Sequence, residues 1–180
     1  MARSSKNFGT GIVAGVLVTL LGLLLIALLV AYTGAYNVAA TKEHRSFVRW
    51  LFETTFHNSV TDRASDLTAP TDVSQSRIQA GAGAYKAMCE HCHGAPGVDR
   101  ADWAQGMLPR PPYLYEAAVH WEVNEVFWLA KHGVKMSGMP AFGPTHSDEH
   151  LWNIALFVSQ LPAMTDAEYA QITSGSTHEH

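Results

Sequence analysis

The chain has 180 residues, with 12 Lys and Arg against 16 Asp and Glu and a formal charge of −4, a balance that excludes a basic nucleic-acid binder. That length suits one compact domain with an additional segment attached. Two cysteines are too few for a disulfide framework or for the paired Cys motifs of a zinc site.

The first predicted element is apolar. No charged residue occurs between Gly11 and Ala35, and residues 12–31 as a helix span about 30 Å, the thickness of a bilayer core. Arg3 and Lys6 precede this run and mixed charges follow it, so the positive-inside bias places the N-terminus in the cytoplasm and the rest outside. Tyr32 and Tyr36 suit the outer interface. Val38-Ala39-Ala40 resembles a signal-peptide cleavage site, but the apolar run exceeds the 7–15 residues of a signal core, so a retained anchor is expected. Gly11 and Gly15 make a G-x-x-x-G pair, a spacing common enough in membrane helices to carry no further inference.

Residues 41–60 have helical character, with Phe47, Trp50, Leu51 and Thr54 near one side and Phe52 and Phe56 widening the apolar arc. Such a segment suits a bilayer surface, a partner subunit or its own domain. His44 and His57 read as surface or interface residues. Residues 61–75 read as a connector.

A helix is expected from Ser76 to about Cys89, with Gly81 and Tyr85 on one face. It leads into Cys89-Glu90-His91-Cys92-His93, the Cys-x-x-Cys-His signature of c-type haem attachment. Two thiols on one helical turn can add across the two vinyl groups of one haem edge. The imidazole that follows then falls beneath the iron, a suitable ligand when neutral. A thioredoxin-type dithiol would need a βαβ context that the surrounding sequence does not offer. A plain disulfide would leave His93 unexplained. Gly94 ends the helix.

Residues 94–115 form a loop rich in Gly and Pro, long enough to need a role; wrapping a haem is one, with Met107 and Leu108 as apolar cover. The next helix carries Val123, Val126, Phe127 and Ala130 on one face and ends at Gly133. His120 and His132 read as helix-end residues. Two methionines follow, and a thioether on a turn after a helix can reach the open face of a haem, where soft sulfur stabilises ferrous iron. Met139, held extended by Pro140, is favoured over Met136. Ser147 with Asp148 and Glu149 begins a further helix that stops before Pro162, its Ile154 and Phe157 expected to meet Gly81 and Tyr85. Thr165 to Glu168 is a capping-box pattern for a last short helix. His178 and His180 lie in a polar tail.

These residues, taken together, resemble the class I cytochrome c family. The resemblance covers about residues 76–162 and rests on Gly81-x-x-x-Tyr85, Cys89-x-x-Cys92-His93-Gly94, Pro112-x-Leu114, Gly138-Met139-Pro140-Ala141-Phe142 and the Trp152-bearing helix. It implies a mainly α chain: an N-terminal transmembrane helix, then a small all-α class I cytochrome c domain wrapping one covalently attached haem c. The implied division is an anchor over 1–36, a juxtamembrane amphipathic segment and linker over 37–75, the cytochrome domain over 76–162, and a short helix with a polar tail over 163–180. By the same resemblance Cys89 and Cys92 carry the thioether links, His93 is the proximal ligand and Met139 the distal one. Pro112 falls where the family's proline carbonyl accepts a hydrogen bond from the proximal imidazole, with Pro109 and Pro111 as neighbouring alternatives. The aromatic segment 41–60 and Trp103, Trp121 and Trp128 lie outside the family pattern. Haem attachment in this family takes place outside the bacterial cytoplasmic membrane, in agreement with the topology read from charge.

The expected function is single-electron transfer between redox proteins: a quinol-oxidising complex, a terminal oxidase or a periplasmic dehydrogenase. The protein would sit as a single-pass component of the inner membrane with its haem domain on the periplasmic side. It is expected not to be an enzyme in itself and to take no small-molecule substrate. Two other readings stand beside this one. One is a fixed subunit of a larger membrane oxidoreductase. The other is an open-site haem sensor or enzyme, which requires that Met139 not ligate.

Overall fold

A computed structural model of the chain describes residues 3–174, with side chains from residue 8 onward; His178 and His180 lie outside the described residues. The chain divides into two compact units between Lys42 and Glu43.

The first unit is dominated by helix α1, Arg3–Thr33. Its segment Phe8–Thr33 is long and apolar enough to cross a membrane, and none of its most apolar window is buried within the protein. The hydroxyls of Thr19 and Thr33 donate to the carbonyls of Gly15 and Leu29 one turn back, so neither hydroxyl is left unpaired among apolar neighbours. This helix fits a single-pass membrane anchor.

The second unit is helical, with no β-strand among the described residues. Its helices are α2 (Ser46–Ala64), α3 (Gln75–Met88), α4 (Glu90–His93), α5 (Leu114–Ala117), α6 (Val123–His132), α7 (Asp148–Val158) and α8 (Asp166–Thr173). Helix α3 crosses α7, α6 packs on α7, α8 covers α3, and α2 lies against α6. The α3–α7 crossing is close because Gly81 has no side chain. A Cβ there would overlap the Asn153 carbonyl and stand 2.9 Å from Phe157 Cβ. Ile154 is buried as expected, but the surface that meets Gly81 is the Asn153 backbone together with Phe157. Arg77 Nε donates to Asn153 Oδ1 at 2.7 Å, tying the same crossing a second time. Tyr85, Phe157 and Tyr169 form a ring cluster at its centre, and Phe127 stacks on Trp152 with centroids 3.8 Å apart.

Helix α2 departs from its sequence reading at both ends, beginning at Ser46 and running four residues into the expected connector. The extra turn is held by burial and by partners on α6. Val60 and Ala64 are buried, Thr61 donates its hydroxyl to Glu125 at 2.7 Å, and Asn124 donates its amide to the Ala64 carbonyl at 2.8 Å. His57 stacks flat on Trp121, with Phe56 edge-on to the same ring.

Candidate haem site

The Cys-x-x-Cys-His run lies where α3 turns into the single-turn helix α4. Cys89 ends α3 by donating its N–H to the Tyr85 carbonyl at 2.8 Å, and its own carbonyl accepts from Cys92 and His93. Three side-chain bonds hold this turn in place. The Tyr85 hydroxyl donates to the Gly94 carbonyl at 2.6 Å, and the Tyr169 hydroxyl donates to Glu90 at 2.5 Å. Lys86 reaches the Thr173 carbonyl at 3.3 Å. Burial raises both tyrosine hydroxyls far above their ordinary range, so they remain donors.

Cys89 and Cys92 are half-buried and form no disulfide. Burial, and secondarily the neighbouring Cys92, pushes the Cys89 thiol up to about 12; burial also raises Cys92. Neither is therefore set up as a thiolate nucleophile. No group of three His, Cys, Asp or Glu side chains among the described residues is arranged to hold a metal ion.

His93 Nδ1 lies 2.8 Å from the Pro112 carbonyl. A carbonyl only accepts, so Nδ1 carries the proton and Nε2 keeps the ring's in-plane lone pair. Burial, opposed by this hydrogen bond and reinforced by the Arg100 charge, holds the imidazole below its ordinary pKa and favours the neutral ring. Pro111 makes a different contact: its carbonyl accepts from Arg100 Nη1 at 2.7 Å.

Arg100 was not singled out in the sequence. It is only 7% exposed, its guanidinium lies 3.8 Å from the Tyr113 ring centroid, and it is in no salt bridge among the described residues. Its Nε is buried without a hydrogen-bond partner among the described residues. It lines an open cavity of about 420 Å³ together with Arg110, Pro111, Pro112, Tyr113, Glu116, Ala117 and His120. A buried cation with an unpartnered Nε is costly, and Glu116 is the one carboxylate that shares its cavity, so the site has room to accept an anionic group.

The methionine turn folds back on the end of α6. Gly133, at φ +64°, reverses the chain there; a Cβ would meet Pro140 and Ala141 backbone at 2.7 Å. The Val134 N–H donates to the Met139 carbonyl, the Met139 N–H donates to Ser137 Oγ at 3.1 Å, and Phe142 and Gly143 bond back to Ala130 and Lys131. Met139 is half-buried within this turn. Met136 is 85% exposed, with a left-handed backbone at φ 59°. The methyl end of Met107 packs on Gly138 where a Cβ would otherwise lie, bringing the loop after Cys92 onto the methionine turn.

Two unpaired thiols on one turn, a neutral imidazole with one lone pair available, a thioether on a braced turn and a buried arginine with a free Nε are a donor set that fits a haem with anionic substituents. The wider comparison agrees. Residues 76–158 match the family described as cytochrome c oxidase, cbb3-type, subunit III. A quinohemoprotein alcohol dehydrogenase from Comamonas testosteroni is 26% identical over 157 residues, covering 83% of this chain and 21% of the relative's length. The chain thus spans about a fifth of that relative. No solved structure matches it.

Proposed function

Residues 76–158 are a class I c-type cytochrome domain, a haem-binding electron-transfer module, and on that premise we propose that the chain is a membrane-anchored monohaem carrier of single electrons. Its haem would be attached through Cys89 and Cys92 and ligated by His93 and Met139. The observation that carries this reading is the His93–Pro112 hydrogen bond, which fixes the one tautomer able to offer Nε2 as a ligand.

Bound haem iron supplies the ferric–ferrous one-electron couple. The chain supplies the rest. Cys89 and Cys92, free and raised in pKa, would hold the haem through thioether links to its vinyl groups. Pro112 orients His93 and makes it a better donor. The braced turn offers the Met139 sulfur, which favours the reduced state, and its partial burial supports Met139 over the exposed Met136. Arg100, a buried positive charge that acts on His93, would pair with a carboxylate of the haem and would favour the less positive iron state. With His93 and Met139 both serving as ligands, the iron would be left to exchange electrons rather than to bind a substrate.

Helix α1 supports a single-pass anchor in the bacterial inner membrane with the haem domain in the periplasm, facing a quinol-oxidising complex, a terminal oxidase or a dehydrogenase. Spectroelectrochemical titration of the full chain in detergent tests the carrier reading. One reversible one-electron transition is expected; several transitions, or turnover of an organic substrate, would contradict it. A second reading, a fixed subunit of a larger oxidoreductase, is favoured by the oxidase-subunit description of the matched family. Mild detergent extraction separates the two, since a fixed subunit leaves the membrane as part of a large assembly.

A further inference from the structure

Helix α2 is apolar along much of its length, and the protein covers only its second half. There Phe56 and His57 pack on Trp121, and Val60, Thr61 and Ala64 lie against α6. In the first half the docking side continues into Trp50, seven residues before His57, and into the exposed Arg49–Glu53 pair, 3.9 Å apart, with Phe47 and Leu51 beside Trp50 and Phe52, 47% exposed, on a further side. Phe47, Trp50 and Leu51, at i, i+3 and i+4, are 68%, 57% and 45% exposed. The Phe47 and Trp50 rings touch each other at 5.8 Å between centroids. A helix half held in the domain by its far end thus presents an aromatic stripe that none of the described residues of this unit covers.

Three observations select the occupant. Helix α2 begins 12 residues after the apolar segment Phe8–Thr33, a tether of at most about 43 Å when fully extended. Its composition, Trp and Phe beside Lys42, Arg45 and Arg49, is that of a bilayer interface, where aromatic rings sit at the headgroup level and long cationic side chains reach the phosphates. Local charge agrees: residues 42–53 hold three cations and two anions, against 6 cations and 11 anions over residues 76–180. We propose that the first half of α2 is an interfacial helix that seats Phe47, Trp50 and Leu51 in the outer leaflet of the membrane. Because its second half is bonded to α6, which leads directly into the methionine turn, this contact would limit how the haem domain can face the membrane. The inference rests on the anchor reading of α1.

The full chain, reconstituted in phosphatidylethanolamine–phosphatidylglycerol vesicles containing a phospholipid with a photoreactive acyl chain, tests it by mapping lipid adducts. Adducts are expected in 8–33 and on Phe47, Trp50 or Leu51, with none on Trp103 or Val119, exposed to 64% and 65% elsewhere in the domain. Replacing all three stripe residues by serine should remove the second group at least tenfold while leaving the 8–33 adducts and the haem spectrum intact. Adducts in 8–33 alone overturn the proposal and leave the anchor standing. Adducts in neither overturn both. Equal labelling of Trp103 and Val119, or capture of a co-purified protein at the stripe in place of lipid, also overturns it.

Discussion

On the proposed haem reading, Arg100 is the charge nearest to His93. It is buried, bonded to the Pro111 carbonyl and stacked on Tyr113, shares its cavity with Glu116, and is in no salt bridge among the described residues. Arg100→Gln is therefore expected to lower the midpoint potential by on the order of tens of millivolts, with Arg100→Lys losing less; an unchanged potential in both would remove Arg100 from the site. Redox titration of the purified variants is the check. The local spacing of Cys89, Cys92 and His93 is legible in the sequence because attachment to one rigid cofactor edge fixes it within five residues. Pro112 could be placed only with Pro109 and Pro111 as rivals, since which carbonyl reaches Nδ1 depends on how the loop closes. Arg100 carries no sequence signal at all: an orphaned Nε exists only once Pro111 and Tyr113 have folded around it.

At the level of elements, the α3–α7 crossing and the α8 cap hold the attachment turn. Gly81→Val would push against the Asn153 carbonyl and Phe157, neither of which can move without separating the helices. It is expected to cost about 1–3 kcal/mol or to prevent folding, read from denaturant unfolding followed by haem absorbance. Helix α8 begins with Thr165 accepting the Glu168 N–H while the Glu168 carboxylate accepts from Thr165 N and Oγ1. These bonds, the backbone one first, hold the Glu168 pKa below its ordinary value. A depressed carboxylate contributes stability that is present above its unfolded pKa and lost as pH falls through the folded value. Thr165→Ala should cost about 1 kcal/mol at neutral pH and less in acid, measured by unfolding at both. Helices α3, α6 and α7 are legible from periodicity and caps because their apolar faces meet one another. The last turn of α2 is not, because Thr61 and Ala64 become helical partners only through Glu125 and Asn124, about sixty residues away.

For the whole molecule, charge and cofactor decide the behaviour. With 6 basic and 11 acidic residues over 76–180, electron exchange with a basic redox protein should slow as ionic strength rises, while exchange with an acidic one should not; stopped-flow rates at two salt concentrations decide this. Seating of α2 at the bilayer would add a geometric restriction to that electrostatic one, favouring partners at the membrane surface. The central claim, that His93 and Met139 close both faces of the haem and leave electron transfer as its work, is tested most directly by the optical spectrum of the reduced full chain with and without carbon monoxide. The wild type and Met136→Ala should show no response, and Met139→Ala should bind the gas and change its spectrum. A carbon monoxide complex in the freshly prepared wild type would contradict the claim and put an open-site haem protein in its place.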